Sequence, residues 1–85
     1  MSTVTYHVVQ SFLAGTKGIP YAAMPIQCQS AEQAARTAAR LAPDRAAVVA
    51  FSRTGDPDTG DFEDAVVIAA YGVPPEEADE MSIAV

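Results

Sequence analysis

Most of the chain follows the two-residue apolar rhythm of strands, and one stretch follows a helical rhythm. Thr3 to Ala14 is rich in β-branched and aromatic residues (Val4, Tyr6, Val8, Val9, Phe12), which suit a pleated surface. Gly15-Thr16-Lys17-Gly18-Ile19-Pro20 then interrupts it with two glycines and a proline. Tyr21 to Gln29 predicts a second strand. Pro25 lies inside it and has no N–H for a ladder, which assigns this strand to an edge or puts a bulge there. With residues 15–20 as the loop and Ala14 opposite Tyr21, His7 falls opposite Cys28.

Ser30 opens the single predicted helix. Ser30-Ala31-Glu32-Gln33 is a capping box: the hydroxyl accepts the Gln33 N–H and Gln33 reaches back. Ala31, Ala34, Ala38 and Leu41 recur at helical spacing, with Ala35 and Ala42 beside them. Glu32, Arg36 and Arg40 line the opposite face, the acid N-terminal as the helix dipole prefers. Pro43-Asp44 ends the helix. Its apolar face is almost all alanine, so the large core side chains must come from strands.

Arg45 to Thr54 and Glu63 to Tyr71 predict the third and fourth strands, joined through Gly55-Asp56-Pro57-Asp58-Thr59-Gly60-Asp61-Phe62. Pro57 and Asp58 suit the two central turn positions and Gly60 a left-handed exit. Asp56 opposite Asp61 then sets Phe51 opposite Val66, Val49 opposite Ile68 and Arg53 opposite Asp64. The predicted fold is α+β: ββαββ, a four-stranded, mainly antiparallel sheet with one helix packed on one face. The favoured strand order is second-first-third-fourth, with second-first-fourth-third as the alternative. Residues 1–73 form one domain, and 74–85 read as a flexible acidic tail.

Composition narrows the function classes. The 85 residues are 49% hydrophobic and 19% charged, a globular balance with room for one core. No apolar run is long enough for a membrane helix. The first residues show neither the basic nor the apolar region of a signal peptide. One cysteine excludes an internal disulfide, and a cytoplasmic setting is expected. Residues 1–55 hold five cations and two acids, net +3, whereas residues 56–85 hold nine acids and no cation; the whole is −6. Such a chain attracts phosphate backbones weakly. Neither a nucleic-acid nor a membrane partner is expected.

Three stretches carry a resemblance: Tyr6-His7-Val8-Val9-Gln10-Ser11-Phe12, Ser30-Ala31-Glu32-Gln33-Ala34, and Val49-Ala50-Phe51-Ser52-Arg53-Thr54-Gly55-Asp56-Pro57. Together they resemble a family of small uncharacterised bacterial proteins of unknown function. The resemblance spans most of residues 6–75 and implies no activity, cofactor or catalytic residue.

Candidate chemistry is sparse. His7 opposite Cys28 is a candidate catalytic pair, since an imidazolium beside a thiol favours the nucleophilic thiolate. Against it, no orienting acid lies on those strands, and the expected neighbours Val9, Leu13, Met24 and Ile26 describe a core, where cysteine serves as a small hydrophobe. Asp56, Asp58 and Asp61 are candidate ligands for a hard cation. The spacing fails the EF-hand pattern, with Gly60 fifth and Val67 twelfth, and carboxylates at a hairpin tip also build the turn. Gly15-Thr16-Lys17-Gly18 joins two strands, unlike a phosphate-binding loop, which joins a strand to a helix. Tyr6 and Phe12 would share the face opposite His7, but no Arg or Lys is expected beside them to hold nucleic acid.

No cofactor is expected. The expected function is therefore a non-enzymatic interaction module acting through a partner protein or a second copy of itself. The alternative is a small thiol-dependent enzyme or redox-reactive protein using Cys28 with His7. Self-association follows from the second hairpin. If Phe51, Val49, Val66 and Ile68 bed the helix, the opposite face carries Val48, Ala50, Val67, Ala69 and Tyr71. These strands read as buried on both sides, unlike a solvated antiparallel sheet, which points to a homodimer through that face or through the edges of the last strands. The competing reading is a monomer whose small apolar face tolerates water.

Overall fold

The computed structural model describes residues 3–72. The acidic tail expected over 74–85 lies outside the described residues. Strand β1 (Val4–Leu13) and strand β4 (Ala47–Asp56) form a long antiparallel central pair. Outside β1 lie β2 (Tyr21–Ala22) and β3 (Ile26–Cys28); outside β4 lie β5 (Asp61–Phe62) and β6 (Val66–Tyr71). All pairs are antiparallel. The class is α+β, and the described residues hold one α-helix and six strands where four strands were expected, because each outer strand is divided in two.

The first division falls at Pro25. His7 lies opposite Cys28, Val8 opposite Gln27 and Val9 opposite Ile26, the expected register. Beyond the proline the pairing slips by one, so Tyr21 faces Leu13 rather than Ala14. The slip is pinned from both sides of the chain. The Ala23 N–H donates to the Ser11 carbonyl at 2.9 Å, and the buried Gln10 Nε2 donates to the Ala23 carbonyl at 2.7 Å.

The second division follows the hairpin tip. Gly55 opposite Phe62 and Asp56 opposite Asp61 keep the expected register, and Gly60 takes the left-handed conformation, φ 79°. Past the tip the ladder slips: Ser52 faces Val66 and Phe51 faces Val67. A bulge then slips it again, so that Val49 faces Ala70. The expected pairs Phe51–Val66 and Val49–Ile68 therefore do not form. Arg53 opposite Asp64 is likewise outside the ladder.

Helix α1 (Ala31–Leu41) starts as expected, with the Ser30 hydroxyl accepting the Gln33 N–H at 3.0 Å. The Gln33 side-chain Oε1 reaches one residue further back than a capping box requires and accepts the Gln29 N–H at 2.7 Å. Ala42–Asp44 extends the helix as a short 3₁₀ turn. Ala34 and Ala38 pack with Val9, Cys28, Val48 and Ala50, flanked by Leu41, Ala42, Ile68 and Ala69.

On β4 the two faces are thus the reverse of expectation, whereas Ile68 lies on the helix side and Val67 on the far side, as expected. Val48, Ala50 and Ala69 lie under the helix, whereas Val49 and Phe51 lie on the far face with Val8, Ala65, Val67 and Ala70. Both faces of this hairpin are apolar, so its alternation carries no sign of which side is up. The pairing to β1 decides: Ala50 faces Val9, which shares its face with His7 and Cys28. An alanine-faced helix can approach a surface of Val and Ala closely, and Phe51 is left to fill the other side.

Candidate functional site

Three of the candidate groups can be followed directly. The His7–Cys28 pair sits in a row that runs Val66, Ser52, His7, Cys28 across the sheet. The sheet does bring the two together. However, His7 Nδ1 is 2.7 Å from Ser52 Oγ, and the Cys28 thiol points to Thr37 Oγ1 at 4.0 Å. Cys28 is only 7% exposed. The polar side chains of both residues are directed to hydroxyls, and the sulfur is packed in the core beneath the helix. This arrangement holds a small buried thiol in place rather than presenting it to a substrate.

The acidic residues at the tip build the turn. Asp56 Oδ1 accepts the Asp58 N–H at 2.9 Å, the Asp56 carbonyl accepts the Gly60 N–H at 2.9 Å, and Thr59 Oγ1 accepts the Asp61 N–H at 3.3 Å. Among the described residues no three His, Cys, Asp or Glu side chains gather to hold a metal ion. Lys17 lies in a short 3₁₀ turn with φ 59°, and a Cβ on Gly15 would strike the Ile19 carbonyl. Gly15 thus allows the close approach within this loop, which leads into strand β2 and forms no anion cradle before an α-helix.

The proposed self-association set is dispersed. Val48, Ala50 and Ala69 are core residues below the helix, Val67 packs with Phe51 on the far face, and Tyr71 is exposed at the end of β6. They do not form one open face, for the reason given by the β1–β4 register.

The far face holds a feature the sequence did not signal. Tyr6 lies directly opposite Arg53, and the Tyr6 and Phe62 rings stack at 6.0 Å between centroids, inclined 30°. The Arg53 guanidinium carbon stands 5.5 Å from the Phe62 centroid, a cation–π distance. A cation does therefore accompany the aromatic residues of this face. With Val8 and Phe51 these residues line a pocket of about 210 Å³. Gly55 makes it possible: a Cβ there would collide with the Phe62 ring, so the ring folds over the glycine toward Tyr6. The only sequence clue was alternation, with Tyr6 and Val8 on one strand and Phe51, Arg53 and Gly55 on another.

No family model, curated protein or solved structure matches the chain. No helix among the described residues is long and apolar enough to cross a membrane.

Proposed function

We propose that the chain is a non-enzymatic interaction module that works as a homodimer, two copies joining their sheets along the outer edges of β6. The observation that supports this reading is the face pattern of β6. Val66 lies opposite Ser52 and Tyr71 opposite Val48, both on the helix face. Ile68 and Ala69 pack into the helix-face core, and Val67 and Ala70 pack with Phe51 on the far face. The bulge, a device that elsewhere discourages edge pairing, here makes the faces read the same in both directions. A two-fold axis between Ile68 and Ala69 sets Val66 against Tyr71 of the second copy, Val67 against Ala70 and Ile68 against Ala69. Each side chain then meets one on its own face, the self-complementarity a two-fold interface requires.

The edge also lacks deterrents. Val66 to Tyr71 contains no charge and no proline, and among the described residues no strand pairs its outer side. Such an edge is a template for another strand. About six backbone hydrogen bonds at about 1 kcal/mol each, plus a few kcal/mol from covering Val66 and Tyr71, stand against an association cost of at least about 4 kcal/mol. The surplus is at most about 6 kcal/mol, which corresponds to a dissociation constant of tens of micromolar at the tightest.

Sedimentation equilibrium of the full chain from about 5 to about 500 µM brackets that constant. The mass is expected to rise from 8.9 kDa toward twice that value. Val66→Lys is expected to keep the fold, since Val66 is 66% exposed, and to remain monomeric. A constant 8.9 kDa species, or equal association of the variant, contradicts the reading. The rival, a thiol enzyme or redox protein, has the adjacency of His7 and Cys28 in its favour. Native Cys28 alkylation reaching a plateau below about pH 7 would show a stabilised thiolate and favour it instead; slow alkylation is expected.

A further inference from the structure

The pocket on the far face lies away from the outer edge of β6 and plays no part in the proposed pairing. We propose that it binds a small single-ring aromatic carboxylate. Its size suits a single ring. An apolar cavity of about 150 Å³ accepts a benzene molecule, so about 210 Å³ has room for one ring with a short acidic substituent. Its walls set the ring type: Tyr6, Phe51 and Phe62 present faces and edges to which an aromatic ligand can stack.

Its charge sets the substituent. Arg53 is the one cation in the lining, and its buried Nε has no hydrogen-bond partner among the described residues. A buried N–H without an acceptor is unfavourable, and a guanidinium offers two parallel donors to a carboxylate. A carboxylate accepting side-on from Nε–H and a terminal N–H, after a small rotation of the guanidinium, supplies the missing acceptor. The attached ring then lies against Phe62. The ligand needs both parts. A neutral ring leaves Nε unpaired, and a small aliphatic acid leaves the aromatic walls uncovered.

Phenylacetate titrated into the ¹⁵N-labelled 85-residue chain tests this by amide chemical shifts. Saturable shifts are expected at Tyr6, Val8, Phe51, Arg53 and Phe62, with a dissociation constant on the order of 1 mM or tighter for a ligand of this size. Arg53→Met keeps the apolar stem and is expected to weaken binding at least about tenfold, the usual effect of losing a charged hydrogen-bond donor. On the unaltered protein, 2-phenylethanol is expected to bind correspondingly more weakly and acetate not to saturate. The unaltered protein thus decides the matter even if the variant fails to fold. Absence of saturable shifts, shifts mapped away from the pocket, or equal affinity for phenylacetate and 2-phenylethanol overturns the proposal.

Discussion

The two faces of this sheet are closed by different means. On the helix face, small meets small: Ala34 and Ala38 sit on Val9, Val48 and Ala50, and none of these five is exposed. On the far face no helix lies among the described residues, yet Phe51 is 1% and Val49 0% exposed, packed among Val8, Ala65, Val67 and Ala70. A helix supplies proximity on one side; a single large aromatic supplies volume on the other. Apolar strand residues on both faces therefore do not imply that a face awaits a partner. What remain open among the described residues are the two edges of the sheet, with Val66 and Tyr71 exposed on β6 and Tyr21 and Ile26 exposed on β2 and β3.

If that contrast is right, removing volume from the far face does the most harm. Phe51→Ala is expected to cost about 3–5 kcal/mol, much of the total stability of a domain this small. Far-UV circular dichroism with urea titration should find it largely unfolded or with a greatly lowered midpoint. Adding volume to the close-packed helix face is expected to come next. Ala38→Leu must push the helix off Val9 and Ala50 and cost about 1–3 kcal/mol by the same titration. A tolerated leucine would show the helix to be less tightly seated than its contacts indicate.

Loosening the helix without touching either core is expected to do less. Ser30→Ala removes the hydroxyl that accepts the Gln33 N–H and should cost about 1 kcal/mol. Smallest of all is Val66→Lys, expected to change monomer stability by no more than about 0.5 kcal/mol. Each comparison needs one fixed, low protein concentration, since association adds to apparent stability. A large loss from Val66→Lys at that concentration would place the residue in the fold rather than at an interface.

The sequence made some of this plain. Pro25 marked an interrupted outer strand, and the turn from Asp56 to Asp61 fixed the tip register, because each acts through its own backbone chemistry. The Ser30 cap was legible for the same reason. The slip beside Phe51 was not. A bulge inserts one residue, and in Val66-Val67-Ile68-Ala69-Ala70 every residue is apolar, so nothing distinguishes the extra one. That slip, together with the uniform apolarity of β4, inverted the expected faces of β4 relative to Val66, Val67 and Ile68, and so scattered Val48, Ala50, Val67, Ala69 and Tyr71. The His7–Cys28 adjacency was readable from one hairpin, but the partner hydroxyls were not, since Ser52 arrives from a strand beyond the helix. Tyr6 and Arg53 meet by the same long-range pairing, which is why the pocket left no local signature.

The β6 pairing is tested most directly by intermolecular nuclear Overhauser effects in a dimer assembled from isotope-labelled and unlabelled chains at several hundred micromolar. The account predicts contacts between the Val66 methyls of one copy and the Tyr71 ring of the other, which disappear in Val66→Lys. Intermolecular contacts at the β2–β3 edge or on the far face, or none at all, would contradict it.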